Sequence, residues 1–497
     1  MNPTSLLRRQ SAFDAAALKR TALCTLAFLF AAHAFCFFNL TYSSGSVMLH
    51  VSSGRSAQIT AGQYLQPIYW RLRGGISSPL FVGMLSALYL TLTNLVLVWL
   101  LRLRNPLPVF ALCGTTSVNA AVLSICAASL HTADAAFLAL LLAALACACC
   151  LRVRFGTIPG ALLLTAALAL HADAFAFFAA ASLTVMLSDL LLDKNVKAFA
   201  ADALRLVLTL FAAAALFALG FALMLRRNGA QASVSLSLMG GNLPAAYLAP
   251  IRALFAPLTA YVHVSAAIRI LLVIAGVLCI AGIACSQSKS ESILLAAGTL
   301  LLPLCCGLTL LSSQTGAQTA PAHCLLDIWL IVLISRAAPC RNAVCRVFTA
   351  AFSAAFAVLF TGCIVFSNQV YLKKNLEFES TLSLMSRIIA RMEETPGFEP
   401  GYTPVAFIGT PEESSFSVER KGFEHLSALE AAKTNYAIAD DSDMIWYMWD
   451  VMGYPINFAD SFSIERLSKT QQAAEMPVFP QEGSCAFVGD TLVVKLR

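Results

Sequence analysis

Long apolar runs separated by short polar turns fill the first three quarters of the chain. A bilayer span takes roughly 20 apolar residues. On that length the runs predict helices near 22–40, 80–101, 107–129, 134–151, 157–172, 174–191, 203–225, 265–284, 292–311, 322–337 and 347–366. The first run competes with a cleaved leader, because Ala32-His33-Ala34 has the small-x-small form. The long polar start (1–21) and the continuation through Phe35, Phe37 and Phe38 favour an uncleaved helix. Between 226 and 264 the pattern is broken by Gly240-Gly241 and by Pro244, Pro250 and Pro257, while Leu248, Ile251, Leu254 and Phe255 keep helical spacing. Short helices lying in or dipping into the membrane interface fit this stretch. So does an irregular covered loop.

Beyond 366 the pattern changes. Leu376, Leu382, Leu384, Met385, Ile388, Ile389 and Met392 repeat as on a helix. PVAFIGT (404–410) reads as a buried strand and turn, SDMIWYMWDVMGY as a helix stopped by Gly453, and CAFVGD and TLVVKLR as two short strands around Gly489-Asp490. The fold class expected is a mainly α, polytopic membrane protein. Its parts would be a cytoplasmic start (1–21), a transmembrane domain (22–366) with an outer loop at 41–79, and a small α/β domain (367–497) of about 130 residues.

Composition supports a lipid setting. Of 497 residues 59% are hydrophobic and 12% charged, against about 25% charged in soluble domains. Residues 1–366 carry 22 Lys/Arg and 8 Asp/Glu, whereas 367–497 carry 11 and 19, which marks a boundary near Ser367. Fifteen of the sixteen cysteines lie at or before Cys363, in or beside apolar runs, and act there as small hydrophobes. No zinc-type spacing and no disulfide framework is present. With the N-terminus in the cytoplasm, Arg8, Arg9, Lys19, Arg20, Arg102, Arg104, Arg152, Arg154, Lys194, Lys197, Lys289, Arg336, Arg341 and Arg346 all fall on the inner side, as the positive-inside rule requires. The loop 41–79 and the tail then face outward. No nucleic-acid partner is expected; the bilayer is.

The loop from Thr41 to Pro79 holds Arg55, Arg71, Arg73 and His50 and no Asp or Glu. Guanidinium forks hold phosphate bidentately and keep their charge in a poor dielectric, so a cationic, aromatic loop at the membrane suits a phosphate-bearing lipid. Arg71 and Arg73 follow Tyr69-Trp70 at the re-entry into the bilayer; Arg226, Arg227 and Arg252 also fall outside. Contact with headgroups or with tail acids is the plainer account of them. Five of the eight acids before 367 lie on the inner side. The others are Asp134, three residues after His131, Asp173, two after His171, and Asp327, four after His323. Ionisable groups at such positions are costly and often functional. For Asp134 a functional role is read ahead of helix capping, for Asp173 capping is read ahead, and Asp327 with His323 is balanced.

GQYLQPIYWRLRGGISSPLFVGMLSALYL (62–90), HTADAAFLALLLA (131–143) and, in the tail, PVAFIG, MGYPINFA and MPVFPQEGSCAFVGDTLVVKL resemble the type II O-antigen glucosyltransferases of bacterial membranes. The resemblance implies a GT-C-like architecture in the cytoplasmic membrane. It also implies transfer of glucose from a polyprenyl-phosphate carrier to a cell-surface glycan on the outer face. In that chemistry a carboxylate takes the acceptor proton, and arginines or a divalent metal stabilise the departing lipid phosphate. Asp134 and Arg73 match the family pattern. The chain departs from it where a His-Asp-Ser-like element would stand at Ser44-Gly45-Ser46, a Gly-Arg pair at Gly62-Gln63, a second Asp near Thr132 and a Gln near Ala172. Three accounts remain open. His50 or Asp134 takes the base role; the substrate is altered; or catalysis is lost and the chain binds or moves polyprenyl-linked sugars, as an inactive relative or transporter would. On the first account Asp134 and His50 are the catalytic candidates, and Arg55, Arg71, Arg73, His131 and Arg226 the phosphate-binding ones.

Overall fold

Helix after helix is laid down by the apolar runs, and each boundary has a local cause. The computed structural model describes residues 14–39, 58–75, 77–232, 243–255, 258–286, 288–308, 320–337, 343–414, 417–438 and 441–497. The helices before the tail are α1 (Ala15–Phe38), the short α2 (Gln66–Leu72), α3 (Pro79–Leu100), α4 (Pro106–Ser117), α5 (Ala120–Arg152), α6 (Thr157–Leu170), α7 (Ala174–Asp193), α8 (Val196–Asn228), α9 (Leu243–Phe255), α10 (Val262–Ser286), α11 (Lys289–Cys306), α12 (Cys324–Ala337) and α13 (Ala343–Glu393). Proline opens α3 and α4, where its missing N–H costs nothing. Ser288 and Glu291 form a reciprocal capping box at α11. Gly229, at φ 60°, ends α8 in the left-handed conformation that glycine favours.

Among the described residues eight helices are long and apolar enough to cross a membrane, against the eleven runs expected. The chain is a mainly α, multi-pass membrane protein with a small sheet near its C-terminus. Two features account for the different number, and a third changes a boundary. The runs 107–129 and 134–151 make one apolar stretch, Pro106–Arg152, parted at Val118-Asn119 and kinked at Ser129 (φ −147°, ψ 51°). α6 and α12 have 14 residues each, about 21 Å of rise against a hydrocarbon core of about 30 Å. The last run does not stop at 366 but continues as α13 for 51 residues, to Glu393. In the segment 226–264, Arg226 and Arg227 belong to the last turn of α8 and the helical spacing forms α9.

Two compact units divide between Asn368 and Gln369. In the first, α1 lies along α3 so closely that a Cβ on Gly83 would stand 2.4 Å from the Phe37 ring. Small residues at such crossings let membrane helices approach. Phe28, Phe110 and Phe360 tie α1, α4 and α13 together with ring centroids 5.1–5.8 Å apart. At the parting of α4 and α5, Asn119 Oδ1 accepts from the amides of Ala121 and Val122, and its Nδ2 donates to the carbonyls of Thr115 and Thr116. One side chain thus serves orphan donors of one helix and orphan acceptors of the other. In hydrocarbon no water would do this.

The second unit is built on a four-stranded sheet, β1 (Pro404–Ile408), β2 (Asn457–Phe458), β3 (Cys485–Val488) and β4 (Thr491–Lys495), in the order β2-β1-β4-β3. β1 runs parallel to both its neighbours, and β3 pairs antiparallel with β4 through the turn at Gly489. Strand alternation sends Val405 and Phe407 to one face, against Met385, Ile388 and Met392 of α13 and the helical segment around Tyr447. It sends Ala406 and Val493 to the other, against Leu467 and Met476. Glu377 is buried between Lys374, at 2.8 Å, and Lys373, which also donates to the Ala432 carbonyl. Burial pushes the Cys485 thiol up to about 11, so it stays protonated in the core.

Candidate functional site

α2 and the glycines after it aim one arginine at one carboxylate. Gly74 (φ 103°) and Gly75 (φ 77°) occupy backbone conformations that a side chain would strain. They turn the chain back on α2, with the Gly75 amide donating to the Trp70 carbonyl. The Trp70 indole and Arg73 Nη2 both donate to Ser77 Oγ, at 3.3 and 2.7 Å. Arg73 Nη1 then reaches α5, donating to Asp134 Oδ1 at 2.6 Å and to the His131 carbonyl at 2.9 Å. Tyr69 Oη donates to the other carboxylate oxygen, Asp134 Oδ2, at 2.9 Å, and lies 3.4 Å from the Tyr89 hydroxyl of α3. The pair is dry: the side chains of Arg73 and Asp134 are 2% and 0% exposed. Burial, with Tyr89 and the Asp134 charge adding to it, pushes the Tyr69 hydroxyl up, so it remains a donor.

This cluster lies at one end of the helical unit, and a second charged cluster lies at the other. Asp134 and Arg152 are both on α5, 18 residues apart, which is about 27 Å of helix. Arg152 forks onto Asp189 of α7 (2.6 and 3.2 Å) and donates to the Leu100 carbonyl at the end of α3. Arg102 pairs with Asp189 and Asp193, and Arg336 of α12 donates to the Leu101 carbonyl at 2.6 Å. The ends of α3, α5, α7 and α12 therefore meet at one level, and the arginines satisfy last-turn carbonyls of α3.

Of the residues singled out in sequence, the structure brings together Arg73, Asp134 and the His131 backbone. Asp134 sits inside α5 as an ion-pair partner and does not cap a helix. Arg71 is exposed on α2, and Arg226 is exposed in the last turn of α8. His50 and Arg55 lie outside the described residues. Asp173 stands at the start of α7 without a side-chain cap bond, its carboxylate 3.7 Å from His171. Tyr69 and Ser77 were not singled out as site residues. Their signal was adjacency: both flank the Arg71–Arg73 pair across the Gly-Gly turn.

Among the described residues no group of three His, Cys, Asp or Glu could hold a metal ion. Compared with known protein families, curated proteins and solved structures, the chain matches none. The resemblance therefore rests on the motifs themselves. What the cluster can do follows from its chemistry. It offers a guanidinium whose pairing with a carboxylate a phosphate could displace, and a carboxylate that would keep the Tyr69 hydrogen bond.

Proposed function

We propose that the chain is a polyprenyl-phosphate-dependent membrane glycosyltransferase of GT-C-like architecture, moving a sugar, by resemblance glucose, to a cell-surface glycan on the outer face of the cytoplasmic membrane. The observation that carries the reading is the buried Arg73–Asp134 pair, set at the end of the bundle away from the Arg102–Arg152–Asp189 cluster. The arginine-rich end containing Arg102 and Arg152 is the cytoplasmic one on charge bias. The Arg73 end and the tail then face outward.

In this reading Arg73 exchanges partners. The donor's phosphate recruits the guanidinium, and the exchange releases Asp134. The acceptor hydroxyl attacks the anomeric carbon, the carbon–oxygen bond to phosphate breaks, and Asp134 takes the hydroxyl proton. The leaving phosphate keeps the electron pair, and Arg73 stabilises it. Tyr69 holds the freed carboxylate in place. A second reading, an inactive relative or transporter that retains polyprenyl-linked sugars, draws on one observation. Both oxygens of Asp134 are engaged by donors, and its side chain has no exposure.

Transfer of radiolabelled glucose from polyprenyl-phosphate glucose, in membranes containing the chain and its acceptor glycan, separates the two. The enzyme reading expects transfer by the parent and a fall of 100-fold or more in Asp134→Asn with insertion intact, on the order of general-base catalysis. Tyr69→Phe should lose less, since it leaves the base in place. Full transfer by Asp134→Asn would remove Asp134 from the mechanism. Absence of transfer by the parent, with donor binding retained, would favour the second reading.

A further inference from the structure

Away from the Arg73 site, a small cavity of about 50 Å³ opens among Asn119, Leu254, Arg269, His323, Asp327 and Cys363. Its depth can be read from α12. Asp327 stands nine residues before Arg336, whose guanidinium is fixed to the Leu101 carbonyl. That is about 14 Å of helix, so the cavity lies about halfway through a hydrocarbon core of about 30 Å. A charged group at this depth is expensive unless it is paired or has work to do.

The polar groups are only partly used. Arg269 Nη1 donates to Asp327 Oδ2 and to the Leu254 carbonyl, both at 3.2 Å. Its Nε is buried with no partner among the described residues, and neither are partners found there for the two ring nitrogens of His323. Ala120 and Ala121 of α5 also flank the cavity, and the Ala121 and Val122 amides there are already taken by Asn119 Oδ1. The space is enough for a few waters or a compact ion.

We propose that this cavity is a binding site for a small monovalent anion of chloride or acetate size. The anion would be held by Arg269 and by an N–H of His323, with Asp327 as the opposing charge that keeps affinity moderate. The site is independent of the sugar-transfer reading.

The test uses the full chain purified in detergent, in sodium gluconate, whose anion is far bulkier than chloride or acetate. Replacing gluconate with chloride or acetate at constant ionic strength should raise Tm saturably. The sign of one substitution distinguishes an anion from a cation. Asp327→Asn removes the opposing charge and should lower the half-saturating concentration about tenfold. The double variant Arg269→Gln with Asp327→Asn, which leaves no orphan charge, should lose the shift, and His323→Leu should weaken it. The proposal is overturned if the parent's Tm is the same in all three salts or if Asp327→Asn weakens binding. The comparison of salts on the parent stands even if a variant fails to fold.

Discussion

Arg152 carries its charge with a side chain that is 1% exposed, and it can do so because Asp189 meets both ends of its fork and the Leu100 carbonyl takes a third bond. Without Arg152 the buried Asp189 keeps the longer contact to Arg102, at 3.4 Å, and breaking such a pair from one side costs up to roughly 3–5 kcal/mol. Arg152→Ala should therefore destabilise the purified protein by about that amount in thermal or denaturant unfolding. Replacing both partners, Arg152→Met with Asp189→Leu, should recover much of the loss. A single variant as stable as the parent would show that the pair carries no structural weight. Arg73 and Asp134 share the same logic, and in the proposed function a phosphate takes one partner away. Neither pair is legible in spacing. Arg73 and Asp134 stand 61 positions apart, and Arg152 and Asp189 stand 37 apart. What the sequence does show is that few acids occur in the apolar runs, so each one has to meet a cation.

The parting of α4 and α5 is where hydrophobic periodicity is least informative. The run 107–129 contains no proline inside the break and its only glycine is Gly114, so neither usual breaker marks Val118-Asn119. The signal is polar: Thr115, Thr116, Ser117 and Asn119 supply side chains that compete for backbone groups. Asn119 needs both halves of its amide. Asn119→Asp should keep the cap on α5 and lose the donors to Thr115 and Thr116, whereas Asn119→Ala loses both. Unfolding should rank Ala below Asp below the parent, with Ala down by about 1–2 kcal/mol. Equal stability of Ala and Asp would show that the amide donors do nothing. Strands were easier to read. PVAFI, CAFV and TLVVK alternate or run apolar between turns, and they form β1, β3 and β4. Their order could not be read, because strand pairing is set by contacts distant in sequence.

At the scale of the molecule, helix ends sort by charge. Arg102, Arg152, Asp189, Asp193 and Arg336 gather at one level, about 27 Å along α5 from Asp134. Orientation then becomes a two-point experiment in a variant stripped of reactive thiols. A cysteine in place of Lys197, at the start of α8, should react with an impermeant maleimide only from the cytoplasmic face. One in place of Gly229, at the far end of α8, should react only from the outer face. The reverse pattern would put the Arg73 site in the cytoplasm and remove the glycan acceptor from reach. Apolar length and charge bias made the membrane class legible from sequence. The number of helices that cross was less so, since α6 and α12 are shorter than a span and α13 runs well past one.

The proposed function turns on one exchange, in which Arg73 gives up Asp134 for a lipid phosphate. Its most direct test is equilibrium binding of polyprenyl phosphate to the purified chain, with unphosphorylated polyprenol as competitor. Saturable binding that polyprenol fails to displace, and that falls at least tenfold in Arg73→Ala while Asp134→Asn binds as well as the parent or better, is the predicted result. Binding that polyprenol displaces equally, or that is unchanged in Arg73→Ala, would contradict it.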